Sequence, residues 1–209
     1  MSETLAQLSM QEFADRLASK APSPGGGAVA AVTAAHAAAL GCMVLAYTLG
    51  KPKFAAHENE NQLALQSLQR AQIKALALAD EDAVAYANLS ALWKSPPTDA
   101  RRIEQEPTAV RAATAAPMSI LMLAHDILKT LQNLPKNCNP NLLSDLAIAA
   151  TLADTAAGAA AWNVRVNVPQ LSDATERAAM QSQLEHTLAS ARVAADSIAK
   201  HIASIMKAK

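Results

Sequence analysis

Four stretches of the sequence hold residue types able to do chemistry. The first is Ala21-Pro22-Ser23-Pro24-Gly25-Gly26-Gly27, which runs into an alanine-rich segment with no Asp, Glu, Lys or Arg before Gly50. Pro fixes φ and Gly frees it, so Pro-Gly-Gly-Gly reads as a bend that presents successive backbone N–H groups at the mouth of a helix, where anions are favoured. The same residues also make an ordinary flexible helix start, and a glycine run alone does not separate the two. The second is Asp80-Glu81-Asp82. Leu65, Leu68, Gln72, Ala75, Ala79, Asp82, Tyr86 and Leu89 follow alternating steps of three and four, the spacing of one helical seam, so Asp82 falls on the apolar stripe. Asp80 and Glu81 point elsewhere and read as solvated charges. A carboxylate on a seam must be paired, hydrogen-bonded or raised in pKa, because unpaired burial of charge is costly. A half-buried acid at the edge of a bundle has the same spacing as a functional one.

The third stretch is Asn139-Pro140-Asn141-Leu142-Leu143-Ser144-Asp145, with Asn139 as N-cap and Pro140 at the first helical position. Asp145 shares a face with Leu142, Ile148, Ala149 and Leu152, and either complements the helix dipole or is aimed at a site. The fourth is Asn163-Val164-Arg165-Val166-Asn167, near a helix end. Its two Asn and one Arg can cap the chain or bind an anionic ligand.

Other chemistries lack their usual residues. The sequence has no Walker loop, no dinucleotide fingerprint after a strand, no His-Glu-x-x-His and no Gly-x-Ser-x-Gly elbow. Cys42 and Cys138 are isolated, without metal-ligand spacing, which suits a reducing compartment and no disulfide scaffold. Eighteen basic and eighteen acidic residues balance without a long basic run, so no nucleic-acid partner is expected. The start, Met1-Ser2-Glu3-Thr4, lacks a basic n-region, so no signal peptide is expected. The charge-free run to Gly50 has the length of a membrane span, but Ala28–Ala39 is weakly apolar and contains Thr33 and His36. No second segment of that kind stands out, and a helix buried on all sides of a bundle is expected, with no membrane.

The elements that must position these residues all read as helices. About a quarter of the 209 residues are Ala, the best helix former and too small to hold helices apart. Ser9-Met10-Gln11-Glu12 fits a capping box for a first helix to about Lys20. A second runs from Gly27 to near Gly50, and a third from about Ala55 to Trp93, ended by Pro96-Pro97. The next starts near Thr98 or Asp99 and continues to Leu134, interrupted by Pro107 and Pro117, the latter freeing the carbonyl of Ala113. His125 and Asp126 are adjacent, so they read as a surface pair and not as a dyad. The Asn139 helix carries a small-residue face at Ala147, Thr151, Asp154, Gly158 and Ala161. Asp173 caps a last helix whose seam, Leu184, Leu188, Ala191, Ala195, Ile198, Ile202 and Ile205, serves packing inside the bundle or a dimer contact. The fold class is therefore all-α: an up-and-down bundle of about five to six helices, some long, around a buried alanine-rich central helix, with residues 1–209 as one domain.

Taken together, Pro22 to Ala31, Asp80-Glu81-Asp82-Ala83, Asn139 to Leu146 and Asn163 to Asn167 resemble, in the same order, the cyclodeaminase/cyclohydrolase family. That family comprises the C-terminal domain of formiminotransferase-cyclodeaminase and stand-alone methenyltetrahydrofolate cyclohydrolase. The resemblance implies an all-helical fold that dimerises, or forms a higher homo-oligomer, through long helices in the cytoplasm. It implies a small-molecule folate substrate and no metal or other cofactor. It places Asp82 at the catalytic acid position, and Gly25, Gly26, Gly27, Lys51, Asn141, Ser144, Asp145, Arg165 and Asn167 around the pterin and its glutamate tail. His36 departs from the small residue expected there, and Trp93-Lys94-Ser95-Pro96 is a loose version of the family's loop. No formiminotransferase domain is present in the sequence, which tilts the expectation toward hydrolysis of 5,10-methenyltetrahydrofolate to 10-formyltetrahydrofolate. Formiminotetrahydrofolate cyclodeamination with release of ammonia, and a non-catalytic helical binding or scaffold protein, are the alternatives. The enzyme reading requires Asp82, Asp145 and the glycine turn to converge on one pocket, within a chain or across a subunit interface.

Overall fold

The computed structural model describes residues 4–207. Its α-helices are α1 (Met10–Leu17), α2 (Gly26–Ala46), α3 (Glu58–Trp93), α4 (Ala100–Gln132), the single turn α5 (Leu134–Asn137), α6 (Leu143–Asn167) and α7 (Ala174–Lys207), with no strand among the described residues. Four short 3-10 turns, Leu5–Gln7, Pro52–His57, Pro140–Leu142 and Val168–Gln170, join them.

The ends follow local chemistry. Ser9 and Glu12 close a capping box at α1, the Glu12 N–H donating to Ser9 Oγ at 3.2 Å and the Ser9 N–H to Glu12 Oε2 at 2.8 Å. Asp99 Oδ1 accepts from the Arg102 N–H at 3.0 Å, and Asp173 Oδ1 from those of Thr175 and Glu176 at 2.7 and 3.2 Å. Two starts fall later than the sequence suggests. Pro52 opens a 3-10 turn, so α3 begins only at Glu58. Asn139 does cap, accepting from the Asn141 N–H at 3.1 Å, but what it caps is the turn Pro140–Leu142, and α6 follows from Leu143. Gly50, at φ 72°, supplies the left-handed residue that turns the chain after α2.

Helix α2 is central, packed against α3 on one side and α6 on the other, while α6 also meets α4 and α7. Ala28, Ala30, Ala31, Ala34, Ala37 and Ala38 are fully buried, as are Ala153, Ala156, Ala157, Ala160 and Ala161 of α6. Small side chains let these two helices lie close along their length. At Gly41 the approach is closer still, because a Cβ there would stand 2.8 Å from methyls of Leu68 and Leu131. The α7 seam is spent inside the bundle, with Leu184, Leu188, Ala191, Ile198 and Ile202 buried against α4 and α6.

Asp80 and a second apolar segment differ from what the sequence suggests. Asp80 is half-buried rather than solvated, because its Oδ1 accepts the Leu5 N–H at 2.8 Å and ties the N-terminal turn to α3. Glu81 is exposed as expected, paired with Lys74 at 2.8 Å. In addition to α2, a second segment, Pro140–Gln170, is apolar and long enough to cross a membrane by length and composition, since its few charges are widely spaced. Both helices bury their alanines in the core of the bundle.

The close approach at Gly41 predicts that Gly41→Val, which puts branched bulk between two buried leucines, costs roughly 1–3 kcal/mol. Thermal unfolding checks this, and an unchanged Tm would mean that α2 is free to move away from Leu68 and Leu131.

Candidate active site

At the N-terminus of α2 the turn Pro22–Gly27 presents a helix mouth without a side-chain cap, Gly25 being the N-cap residue. The peptide bond Ser23–Pro24 in this turn is cis. An uncapped mouth attracts negative charge, and here the protein itself supplies it. The Asp82 carboxylate from α3 sits over the mouth and accepts from the Ala28 N–H. Gly27 makes that possible, because a Cβ at this position would stand 2.3 Å from Asp82 Cγ and from both carboxylate oxygens. Gly27 is thus required by a side chain of the next α-helix, and the expected anion position is filled by Asp82.

Asp82 is partly buried on the seam of α3, between the buried Ala79 and Leu89. Burial raises its pKa above the ordinary carboxylate value, and the Ala28 N–H opposes this by favouring the charged form. No Lys, Arg or His pairs with it among the described residues. Asp82 faces a cavity of about 330 Å3 walled by Ala21–Gly27, by Ala83 and Tyr86 of α3, by Ala113 of α4, and by Asn163, Val166 and Asn167 of α6.

The polar groups of this cavity are oriented by bonds to the scaffold. Pro117 has no N–H, so it leaves the Ala113 carbonyl without its helical partner, and Asn167 Nδ2 donates to that carbonyl at 2.7 Å. Asn163 Nδ2 donates to the Ala159 carbonyl at 3.1 Å, and its amide lies against Gly26, where a Cβ would be 3.4 Å from Asn163 Oδ1. One N–H of each amide is engaged by the backbone, so the carboxylate, the two amide oxygens and the second N–H of each amide remain, and no basic side chain lines the cavity. Such a surface suits a ligand that brings N–H donors or positive charge. Three larger cavities, of about 560 Å3 between the end of α3 and the start of α4, of about 710 Å3 beside α5 and of about 580 Å3 between the middle of α3 and the second half of α4, contain no desolvated carboxylate facing a helix mouth.

Of the residues singled out in the sequence, Gly25, Gly26, Gly27, Asp82 and Asn167 meet here. Arg165 points away, donating to Glu185 Oε1 at 3.1 Å and lying 5.3 Å from the Trp162 ring centre. Lys51, Asn141, Ser144 and Asp145 stand at the other end of the bundle, where the Asn139 N–H donates to Thr48 Oγ1 at 3.0 Å and joins the start of α6 to the end of α2. The 25 residues of α6 separate that end from Asn167 by about 36 Å. Asp145 and Asp82 therefore do not converge within one chain. Tyr86 and Ala113 carry no local signal of a site role, and Asn163 reads from the sequence only as a cap or an anion contact. The freed Ala113 carbonyl was legible from Pro117, but its partner, 54 residues away in sequence, was not.

The fold and site define an all-α bundle that holds one partly desolvated carboxylate at a helix mouth, over a polar cavity lined by no basic side chain. The sequence model of the family described as formiminotransferase-cyclodeaminase matches residues 9–186, and the chain belongs to that family. It is 30% identical over 186 residues to the methenyltetrahydrofolate cyclohydrolase of Methylorubrum extorquens, covering 87% of this chain and 89% of that protein. It is 29% identical over 175 residues to the formimidoyltransferase-cyclodeaminase of Rattus norvegicus, of which it spans 32%. The crystal structure of formiminotetrahydrofolate cyclodeaminase from Thermotoga maritima superposes with a TM-score of 0.89 at 30% identity, over 97% of this chain and 99% of that one.

The raised pKa of Asp82 has a definite linkage sign. An acid whose folded pKa exceeds its unfolded value costs no stability below the unfolded value, near 3.8, and costs progressively more as pH rises through the folded value. Asp82→Asn is therefore predicted to be more stable than wild type at pH 7, by a margin that shrinks toward pH 3. Urea unfolding at the two pH values measures it, and a variant less stable at pH 7 would mean that the Ala28 bond outweighs desolvation.

Proposed function

We propose that this chain is a folate one-carbon enzyme that hydrolyses 5,10-methenyltetrahydrofolate to 10-formyltetrahydrofolate, with Asp82 as the acid/base. The observation that carries the proposal is a partly desolvated carboxylate with no cationic partner, facing a cavity of matching polarity. Methenyltetrahydrofolate carries an amidinium cation across N5, the bridging carbon and N10, and a carboxylate in a dry site attracts it strongly. Asp82 takes a proton as water adds to the bridging carbon, giving a neutral carbinolamine. The proton then goes to N5 as the carbon–N5 bond breaks, and the carbinol hydroxyl gives its own proton to the vacated carboxylate, which releases it to bulk water, leaving the formyl group on N10. A base with a pKa raised toward neutrality serves both steps. The reaction moves only water and protons, so the proposal includes no metal or redox cofactor. The second reading, formiminotetrahydrofolate cyclodeamination, is favoured by the likeness to the Thermotoga maritima enzyme and would use the same carboxylate to move protons as ammonia leaves.

The proposal includes a cytoplasmic homodimer. Val32, Leu40 and Met43 of α2 are only partly covered, and Tyr47, Ile148, Trp162 and Val166 are exposed on α2 and the adjacent α6. This largely apolar face, with the Arg165 guanidinium over Trp162 at its edge, is the kind that a second copy covers. A two-fold axis across α2 turns the second copy end for end, and its Lys51, Asn141, Ser144 and Asp145 then approach the glycine turn of the first. In that arrangement the partner's end supplies the basic and polar groups for the pterin and its anionic glutamate tail, which the cavity of one chain lacks. Arg165 points away from the cavity and is paired with Glu185, so an assignment to the tail requires it to leave that pair.

The test is loss of methenyltetrahydrofolate absorbance. Asp82→Asn is predicted to lower kcat by about 100-fold or more, and equal rates would remove Asp82 from the mechanism. If wild type acts on formiminotetrahydrofolate alone, the second reading holds, and activity on neither folate leaves the non-catalytic binding protein. Refolding Asp82→Asn together with Lys51→Ala tests the shared site, since random pairing restores about a quarter of wild-type activity if the second copy supplies Lys51. No recovery from two inactive variants would place Lys51 outside the partner's site.

A further inference from the structure

Pro117 lies buried in the middle of α4, where proline is otherwise disfavoured. Its ring removes one helical N–H and leaves the Ala113 carbonyl without its helical partner, and Ala113 belongs to the cavity wall. The Asn167 amide reaches it from the last turn of α6, its Nδ2 donating at 2.7 Å. A primary amide with its nitrogen tied to the wall has one orientation, and its Oδ1 makes no hydrogen bond among the described residues. Pro107, in the same helix, has no comparable effect. It is exposed, it lies outside the Asp82 cavity, and the Ile103 carbonyl that it frees receives no side-chain donor among the described residues.

We infer that Pro117 is a positioning residue for ligand recognition: by freeing the Ala113 carbonyl it fixes the Asn167 side chain so that Oδ1 accepts a hydrogen bond from an N–H group on the ring of the bound ligand. The inference rests on the folate reading for the identity of that ring, a pterin whose amide and amine edge carries N–H donors. The contact fixes the ring while Asp82 acts on the one-carbon bridge, so it is made equally in the ground state and the transition state. Its loss therefore raises KM and leaves kcat nearly unchanged. With alanine at position 117 the helix recovers its N–H, the Ala113 carbonyl returns to the helical ladder, and the Asn167 amide is released to rotate.

Two measurements on the full-length protein test this, with 5,10-methenyltetrahydrofolate as substrate. In steady-state kinetics Pro117→Ala is expected to raise KM about tenfold and to change kcat by less than about threefold, with Tm not lowered. Asn167→Ala is expected to raise KM to a similar degree, and the double variant no further, because one residue acts through the other. Pro107→Ala is expected to leave KM unchanged. An unaltered KM in Pro117→Ala, or additive effects in the double variant, would overturn the inference. The second measurement, hydrogen exchange of the Asn167 side-chain amide by 15N NMR, needs no ligand. Faster exchange in Pro117→Ala but not in Pro107→Ala supports the link, and equal exchange in all three proteins overturns it. If wild type acts on neither folate, the folate reading fails by itself, and the exchange measurement still decides whether Pro117 holds Asn167.

Discussion

The structure of the site depends on one contact, the Asp82 carboxylate seated on the N-terminus of α2. The contact balances two opposed effects. Burial against α2 and the seam of α3 disfavours the charge, and the Ala28 N–H, backed by the helix dipole, favours it. A stronger cap or a cationic partner would hold the carboxylate permanently ionised and occupied. A fully apolar setting would hold it permanently protonated. The observed arrangement keeps it ionisable and open on one side to a cavity. Gly27 is the geometric condition, since any Cβ there would occupy the carboxylate's place.

The rest of the bundle serves this contact at longer range. The alanines of α2 and α6 bring the two helices close along their length, and this sets Asn163 and Asn167 beside the glycine turn. Gly41 carries the same close packing toward α3 and α4, where Leu68 and Leu131 flank it. The capping residues Asp99 and Asp173 fix where α4 and α7 begin. At the opposite end, Thr48 and Asn139 join α2 to the entry of α6, so both helices have defined registers at both ends.

Much of this was legible in the sequence, for physical reasons that differ between residues. The helices were readable because capping chemistry and three-four spacing are local, and Asp82 stood out because a carboxylate on an apolar seam is a local contradiction. The 3-10 turns before α3 and α6 are not legible locally, because a proline at the first helical position starts either kind of helix. Asp80 looks solvated by spacing alone because its partner is the backbone of Leu5, 75 residues earlier. The glycine turn was readable as a helix mouth, but not as one already filled, since that depends on how α3 lies across α2. Pro117 announced a free carbonyl, while the identity of its donor is a fact of tertiary packing. The grouping of Lys51 with Asn141, Ser144 and Asp145 at the far end likewise follows from the antiparallel run of α2 and α6, which no single motif carries.

The most direct measurement is the ionisation of Asp82 itself, followed by the 13C carboxyl resonance of labelled aspartate and assigned by comparison with Asp82→Asn. A desolvated carboxylate held by one backbone N–H titrates with a midpoint above the ordinary aspartate value of 3.8 and above that of the exposed, doubly capping Asp173. A midpoint at or below 3.8 would contradict the account, because it would mean that Asp82 is a satisfied structural cap with nothing left for chemistry.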